Sequence, residues 1–110
     1  MPDPQVSGLS HLTFIVADLD AMEEILVTVL GARKVYDSGS AQFSLSEERF
    51  FVVGAEELWI ATMKGEALPS RTYNHVAFKI AYADFDGCRE RIGALGLDLL
   101  EAAEIDLRRR

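Results

Sequence analysis

Two histidines are the residues of this sequence whose type and spacing point to chemistry. They are His11 and His75, the only histidines among the 110 residues. Imidazole is the most common nitrogen ligand of divalent transition metals, so a pair of histidines brought to one centre favours a metal site. A lone histidine on a half-buried strand is more often structural, and that alternative applies to each histidine taken singly. Their equivalent places in a repeat favour metal binding.

The repeat relates the surroundings of the two histidines. Residues 10–17 (SHLTFIVA) align with residues 74–81 (NHVAFKIA) at a shift of 64 positions, and the same shift places Asp20 on Asp84. In each copy apolar residues alternate with others, which predicts a strand whose histidine lies on the face away from the core. The two imidazoles therefore occupy matching places in two related modules.

The elements of the first module are predicted by periodicity. After the first strand, apolar residues at helical spacing from Met22 to Val29 predict a helix, with acidic residues at its start and Gly31 at its end. Three more extended segments follow, at residues 33–37, at 42–53 with a turn at 46–48, and at 58–63. The first module is therefore predicted to be β-α-β-β-β.

The second module is predicted to be incomplete. Residues 64–71, which include a glycine, a proline and a serine, are typical of a linker. After the second strand, apolar side chains again recur at helical spacing and predict a helix that ends at Gly96; they are Phe85, Cys88, Ile92 and Leu95. Residues 97–110 suffice for one strand and a tail, so two or three strands are expected to be missing. The tail is predicted to be a short helix or disordered.

A third metal ligand is not identified by the spacing. Catalytic divalent metals usually have three protein ligands and an open position. Glu48, Glu101 and Glu104 are the carboxylates that could complete the set, and the pattern does not choose among them. Cys88 is a poor candidate, because it lies on the apolar side of a predicted helix, where cysteine acts as a small buried hydrophobe.

Composition argues against several classes of function. The net charge of −7 gives a surface that repels nucleic acid and anionic membranes. The basic run at residues 108–110 is too short for a nucleic-acid footprint. No apolar stretch approaches the roughly 20 residues that a membrane span needs. A length of 110 residues predicts a single domain, and the globular composition predicts a soluble protein. A single cysteine and the lack of a signal sequence at the start predict a cytoplasmic location.

Five motifs, in order along the chain, are similar to those of the fosfomycin-resistance epoxide hydrolases called FosX. They are residues 8–16 (GLSHLTFIV), 43–51 (FSLSEERFF), 58–60 (LWI), 71–80 (RTYNHVAFKI) and 94–98 (ALGLD). The likeness extends from about Val6 to Asp98, and an ordered set of this kind is far more specific than one motif. The residues after Asp98 do not resemble the family.

The resemblance implies an α+β fold of paired βαβββ modules, the vicinal oxygen chelate or glyoxalase-like fold, with the second module incomplete. The family domain would span residues 6–98: module one at 6–63, a linker at 64–71 and partial module two at 72–98, followed by a divergent tail at 99–110. In the family the modules pair between two chains. A symmetric homodimer is therefore implied, in which each metal takes His11 from one chain and His75 from the other.

The resemblance also implies a Mn(II)-dependent hydrolase that adds water to the oxirane ring of fosfomycin and gives a diol. This activity would confer resistance to the antibiotic. His11 and His75 match the metal-binding histidines, which in the family act with a glutamate on the last strand. Glu48 matches the catalytic general base, and Thr13 and Trp59 match positions that line the substrate pocket. The chain ends before the last-strand glutamate and the phosphonate-binding loop, so activity is expected to be impaired.

Two alternatives belong to other classes of protein. One is a non-catalytic protein that binds a small molecule such as an antibiotic, and the other is an inactive remnant of the same fold that acts as a scaffold. Ligand binding that survives EDTA and His11→Ala would favour the first, and a lack of stoichiometric Mn(II) uptake would favour the second. Another metal enzyme of the superfamily, glyoxalase-like or extradiol-dioxygenase-like, explains Glu48 less well.

Overall fold

The structure, a computed structural model, describes residues 3–40, 46–66, 69–70 and 75–97. The chain divides into two units, Met1–Arg71 and Thr72–Arg110. Several sequence predictions lie outside the described residues. They concern the first part of the segment 42–53, part of the linker, the strand after Leu97, the tail at 99–110, and the candidate ligands Glu101 and Glu104.

The first unit carries a helix and a four-stranded sheet in its described part. Its elements are β1 (His11–Val16), α1 (Leu19–Glu24) with a following π-helical turn (Ile25–Val29), β2 (Arg33–Asp37), β3 (Glu48–Val53) and β4 (Leu58–Lys64). The strand order is β1-β4-β3-β2, and β1 runs parallel to β4 while the other neighbours are antiparallel. The β-α-β-β-β order predicted for the first module is confirmed.

Both ends of the first helix follow the local sequence. Asp18 is the N-cap, and its Oδ1 accepts a hydrogen bond of 3.0 Å from the Ala21 N–H, which satisfies one of the free donors of the first turn. At the other end Gly31 has φ +67°, a left-handed conformation that favours glycine. The chain reversal there lets the Ala32 N–H donate to the Leu26 carbonyl at 3.0 Å.

The core lies between the sheet and α1. Exposure alternates along β1, so that Leu12, Phe14 and Val16 are half-buried while the residues between them are exposed. Phe51 and Ile60 are paired across β3 and β4 and, like Leu26, are fully buried. Burying these large apolar side chains stabilises the first unit.

Glu48 lies in a strand rather than in a turn, contrary to the prediction for residues 46–48. It is the first residue of β3. Its N–H donates to Ser38 Oγ at 3.0 Å, and its carbonyl accepts from the Ser38 N–H at 3.0 Å. These bonds extend the β2–β3 pairing beyond Asp37 and give residue 48 an extended backbone.

The second unit contains a helix, as predicted, but not the predicted strand. A 3₁₀ turn (Tyr82–Asp84) leads into α2 (Phe85–Ala94), and Gly96 has φ +73° at the predicted cap. The strand predicted over residues 74–81 is wrong for its described part, because residues 75–81 form no strand. A strand requires hydrogen bonds to a neighbour, and the described part of this unit has no second strand to supply them.

The apolar side of α2 is only partly covered. Cys88, Ile92 and Leu95 are half-buried, and Phe85 is exposed, so the expected full burial of Cys88 is not found. Neither this helix nor any other in the described segments is long and apolar enough to cross a membrane.

Candidate active site

The face of the sheet that α1 leaves uncovered holds most of the residues predicted to act in catalysis. Paired residues of neighbouring strands lie on one face of a sheet. The register therefore defines three rows, which together we call the open face: His11, Trp59 and Val52; Thr13, Ala61 and Phe50; Ile15, Met63 and Glu48. Four of the five predicted site residues, namely His11, Thr13, Glu48 and Trp59, share this face.

His11 lies at the start of β1 with an exposed side chain. Its Nδ1 is 3.1 Å from Ser10 Oγ. With the Nδ1 proton donated to this hydroxyl, the imidazole has its free lone pair on Nε2, which is the form that a metal ligand needs. The local geometry therefore suits His11 to bind a cation over the open face.

A shallow depression of about 360 Å³ lies beside His11. Its lining combines one imidazole and one hydroxyl with aromatic rings and a methyl group; the lining residues are Ser10, His11, Phe50, Trp59 and Ala61. A few polar groups among apolar ones are typical of sites for small molecules. A larger depression of about 500 Å³, lined by residues 18–28 of the first helix and its cap, is mainly acidic and holds none of the predicted site residues.

Glu48 lies at the far end of the open face from His11. Glu48 is on the second strand away from the strand of His11 and is displaced from it by four residues along the sheet. With strands spaced by about 4.8 Å and a rise of about 3.3 Å per residue, the α-carbons of the two residues are about 16 Å apart. This distance leaves room for a small molecule between imidazole and carboxylate. In the described part of the chain no group of three His, Cys, Asp or Glu side chains is placed to hold a metal ion. Glu48 is therefore not placed as the third metal ligand beside His11.

His75, the other predicted metal ligand, lies in the second unit. It is exposed and starts the segment 75–81, which has no regular secondary structure before the 3₁₀ turn. The structure thus places four predicted site residues on one sheet face in the first unit and the fifth in the other unit.

On the helix side of the sheet, charged residues of α1, β2 and β3 form a set that the sequence did not reveal. We call it the charged cluster; its members are Asp20, Glu23, Lys34, Asp37 and Arg49. Burial disfavours the charged form of Arg49, but a hydrogen bond to Asp20 and the nearby carboxylates outweigh it, so its pKa is raised. The signal available in the sequence was the alternation of β3, which places Arg49 on the core side between Glu48 and Phe50.

Comparison with known proteins gives three curated relatives described as fosfomycin resistance protein FosX, while no protein-family model matches. The relative from Mesorhizobium japonicum is 56% identical over 94 residues, which cover 86% of this chain and 66% of the relative. The relative from Listeria innocua is 46% identical over 94 residues, covering 86% of this chain and 69% of the relative. The chain thus spans about two thirds of the length of these relatives.

The chain belongs to the FosX family. A solved structure of a FosX variant from Listeria monocytogenes, complexed with Mn(II) and 1S,2S-dihydroxypropylphosphonic acid, matches with a TM-score of 0.73 at 44% identity, over 88% of this chain and 75% of that chain. A more distant structure, of a possible glyoxalase from Bacillus cereus, has a TM-score of 0.64 at 23% identity, over 83% of this chain and 76% of that chain, and supports the fold alone. The predicted α+β, glyoxalase-like fold of FosX proteins is confirmed.

Proposed function

We propose that the chain acts in fosfomycin resistance as a metal-dependent epoxide hydrolase, which adds water to the oxirane ring of fosfomycin and releases a diol. The observation that carries the proposal is the common location of His11, Thr13, Glu48 and Trp59 on the open face. The ligand in the Listeria FosX structure is a dihydroxypropylphosphonic acid, which has the composition expected for hydrated fosfomycin.

The two histidines are proposed as metal ligands. Imidazole nitrogen is a common ligand of divalent transition metals, and His11 and His75 would supply two such donors. The described residues supply no complete set of three donors. When bound, the metal would supply a positive charge that polarises the oxirane and phosphonate oxygens.

Glu48 is proposed as the general base. Its carboxylate takes a proton from a water molecule while the water oxygen bonds to a ring carbon and the carbon–oxygen bond of the oxirane breaks. The released oxygen takes up a proton from solvent and the protonated Glu48 gives its proton to solvent, which completes the diol and restores the carboxylate. Thr13, in the middle row, and Trp59, beside His11, are proposed to contact the substrate between base and metal.

We further propose that two chains assemble as a symmetric homodimer. In that arrangement His11 of one chain and His75 of the partner subunit serve the same metal, which is supported by their matching positions in the repeat. The family domain is proposed to cover residues 6–98, with modules at 6–63 and 72–98.

The test is hydration of fosfomycin by the full chain with Mn(II), followed by ³¹P NMR, which separates the epoxide from the diol. Glu48→Gln is expected to lower kcat/KM by about 100-fold or more, the usual effect of removing a general base. Glu47→Gln is the matched control, because this neighbouring carboxylate pairs with Lys64 at 3.5 Å and lies outside the open face. Equal rates for the Glu48→Gln variant and the unchanged protein would contradict the proposed role.

A non-catalytic binding protein is the second candidate, since the described residues hold no three-donor group. Isothermal titration with fosfomycin discriminates the two functions. Binding that persists with EDTA and in His11→Ala, without diol formation, would support a binding protein; metal-dependent binding with turnover supports the hydrolase.

A further inference from the structure

The charged cluster joins three elements on the helix side of the sheet. Arg49 Nη1 lies 2.8 Å from Asp20 Oδ1 and 3.1 Å from Glu23 Oε1, both on α1. Arg49 Nε lies 3.4 Å from Asp37 Oδ2 at the end of β2. The guanidinium therefore connects β3 to α1 and to β2.

Lys34 closes the cluster from β2. Its Nζ lies 3.2 Å from Glu23 Oε1 and 3.0 Å from Asp37 Oδ2, so it shares both carboxylates with Arg49. The Arg49 side chain is 17% exposed, whereas that of Lys34 is 37% exposed. Arg49 is thus the more buried of the two cations. Its Nη1 lies against both carboxylates of α1, while its buried Nε is within ion-pair distance of Asp37 without a hydrogen bond.

The backbone around Arg49 is held on both sides. The Lys64 N–H donates to the Glu47 carbonyl at 2.9 Å, and Thr62 Oγ1 donates to the Arg49 carbonyl at 3.3 Å. Ser38 bonds both backbone groups of Glu48. The start of β3 is therefore fixed against both neighbouring strands, and the Arg49 side chain adds a tie to the helix.

Successive side chains of a strand point to opposite faces, so Arg49 and Glu48 project in opposite directions from adjacent residues. Anchoring Arg49 to α1 and β2 limits rotation of the strand about its own axis at this point. That rotation would move the Glu48 carboxylate across the open face. An error of about 1 Å in the position of a catalytic group costs up to roughly 100-fold in rate.

We propose that Arg49 is a positioning residue for the Glu48 carboxylate, acting through its ion pairs with Asp20, Glu23 and Asp37. This inference rests on the proposed function, because it assigns Arg49 to the general base of the same site. Arg49 acts on the base and not on substrate or metal, so its loss lowers kcat and leaves KM and Mn(II) affinity unchanged.

The first experiment compares Arg49→Met, Arg49→Lys and Lys64→Met in the full chain. Arg49→Met is expected to lower kcat by about 10-fold or more, with KM and Mn(II) affinity within about twofold of the original values. Arg49→Lys, which keeps the charge without the planar group, is expected to have an intermediate kcat. Lys64→Met removes a neighbouring ion pair that does not reach α1 and is expected to keep kcat.

A double variant separates positioning from a general loss of stability. In the Glu48→Gln background, Arg49→Met is expected to cause no further loss of kcat, because the group it positions is already gone. Multiplicative losses would overturn the inference, as would an unchanged kcat in Arg49→Met alone. If Arg49→Met fails to fold, the double variant Asp20→Asn, Arg49→Met takes its place in both comparisons, because Asp20 pairs with Arg49 whereas Glu23 and Asp37 keep their ion pairs with Lys34.

Amide hydrogen exchange tests the same inference without turnover. Exchange at residues 48–50 is expected to rise by about 10-fold or more in Arg49→Met and to stay unchanged in Lys64→Met. Unchanged exchange in Arg49→Met overturns the inference even if the chain is active. A chain that makes no diol contradicts the proposed function, while the exchange result still decides whether Arg49 holds the start of β3.

Discussion

Asp37 shows how a single carboxylate couples the charged cluster to pH. Its pKa is lowered from 3.8, first by the hydrogen bond from the Gly39 N–H at 2.8 Å and then by the Lys34 ammonium. A lowered folded-state pKa means that the unfolded chain binds more protons near and below pH 4. The contribution of Asp37 to stability is therefore complete above its unfolded pKa and is lost as the pH falls through the folded-state pKa.

We accordingly predict a pH-dependent effect of Asp37→Asn. The variant should have a lower free energy of unfolding than the original chain at pH 6 to 7, and the difference should shrink as the pH falls below about 4. Urea unfolding at a series of pH values measures it. Asp3→Asn, which removes a carboxylate at an exposed position before β1, serves as the control. A difference that grows toward acid would contradict the assignment.

At the residue scale, the sequence singled out residues that share the open face, but it did not single out the charged cluster. His11, Thr13, Glu48 and Trp59 were identified through a repeat and through ordered motifs, both of which are properties of the linear chain. The cluster depends on Asp20 in α1 meeting Arg49 in β3 across the fold, and such a pairing has no local pattern. For the same reason the sequence did not predict Glu48 at the start of a strand, because its strand pairing depends on Ser38, ten residues earlier.

The end of the first helix is an element-scale feature that is open to a direct test. Gly31 has φ +67°, and for a residue with a β-carbon this left-handed conformation is less favourable by about 1–2 kcal/mol. We predict that Gly31→Ala lowers the free energy of unfolding by about this amount, and that Gly31→Asn lowers it less, because asparagine enters the left-handed region more readily. No atom lies within 4 Å of a β-carbon built at Gly31, so the effect is one of backbone conformation. Equal losses in the two variants would argue against this cause.

Elements were predicted where their determinants are local and missed where they are not. The helices have caps and apolar spacing within their own segments, and Asp18, Gly31 and Gly96 lie where those signals indicate. The strand predicted around His75 has the same alternation as β1, yet alternation alone does not supply a hydrogen-bonding neighbour. The spacing of the apolar residues did not predict the π-helical turn at Ile25–Val29, because the same spacing fits an ordinary α-helix.

At the scale of the whole molecule, the open face carries apolar side chains that a second copy of the chain would cover. Ile15 is 60% exposed and Trp59 is 44% exposed, although both lie on the sheet. Burying such surface favours association, and a charge placed within it opposes association. The proposed homodimer therefore makes Ile15 a position where one substitution changes the oligomeric state.

We predict that Ile15→Glu shifts the chain from dimer to monomer. Light scattering after size-exclusion chromatography should give twice 12.2 kDa for the original protein and a single chain for the variant. Val27→Glu is the matched control, since Val27 is 42% exposed on the helix side and should leave the dimer intact. A monomer in the original protein, or a dimer that Ile15→Glu leaves unchanged, would contradict the proposed assembly.

The strand order has a consequence for the time course of folding. β2, β3 and β4 are neighbours in sequence as well as in the sheet, so they form through short-range closures, of which a hairpin takes about 1–10 μs. β1 is separated from its partner β4 in sequence by α1, β2 and β3. Such long-range pairing is slower, because more chain entropy is lost before any contact forms. We therefore expect that during refolding the strands of Glu48 and Trp59 pair before the strand of His11 joins the sheet.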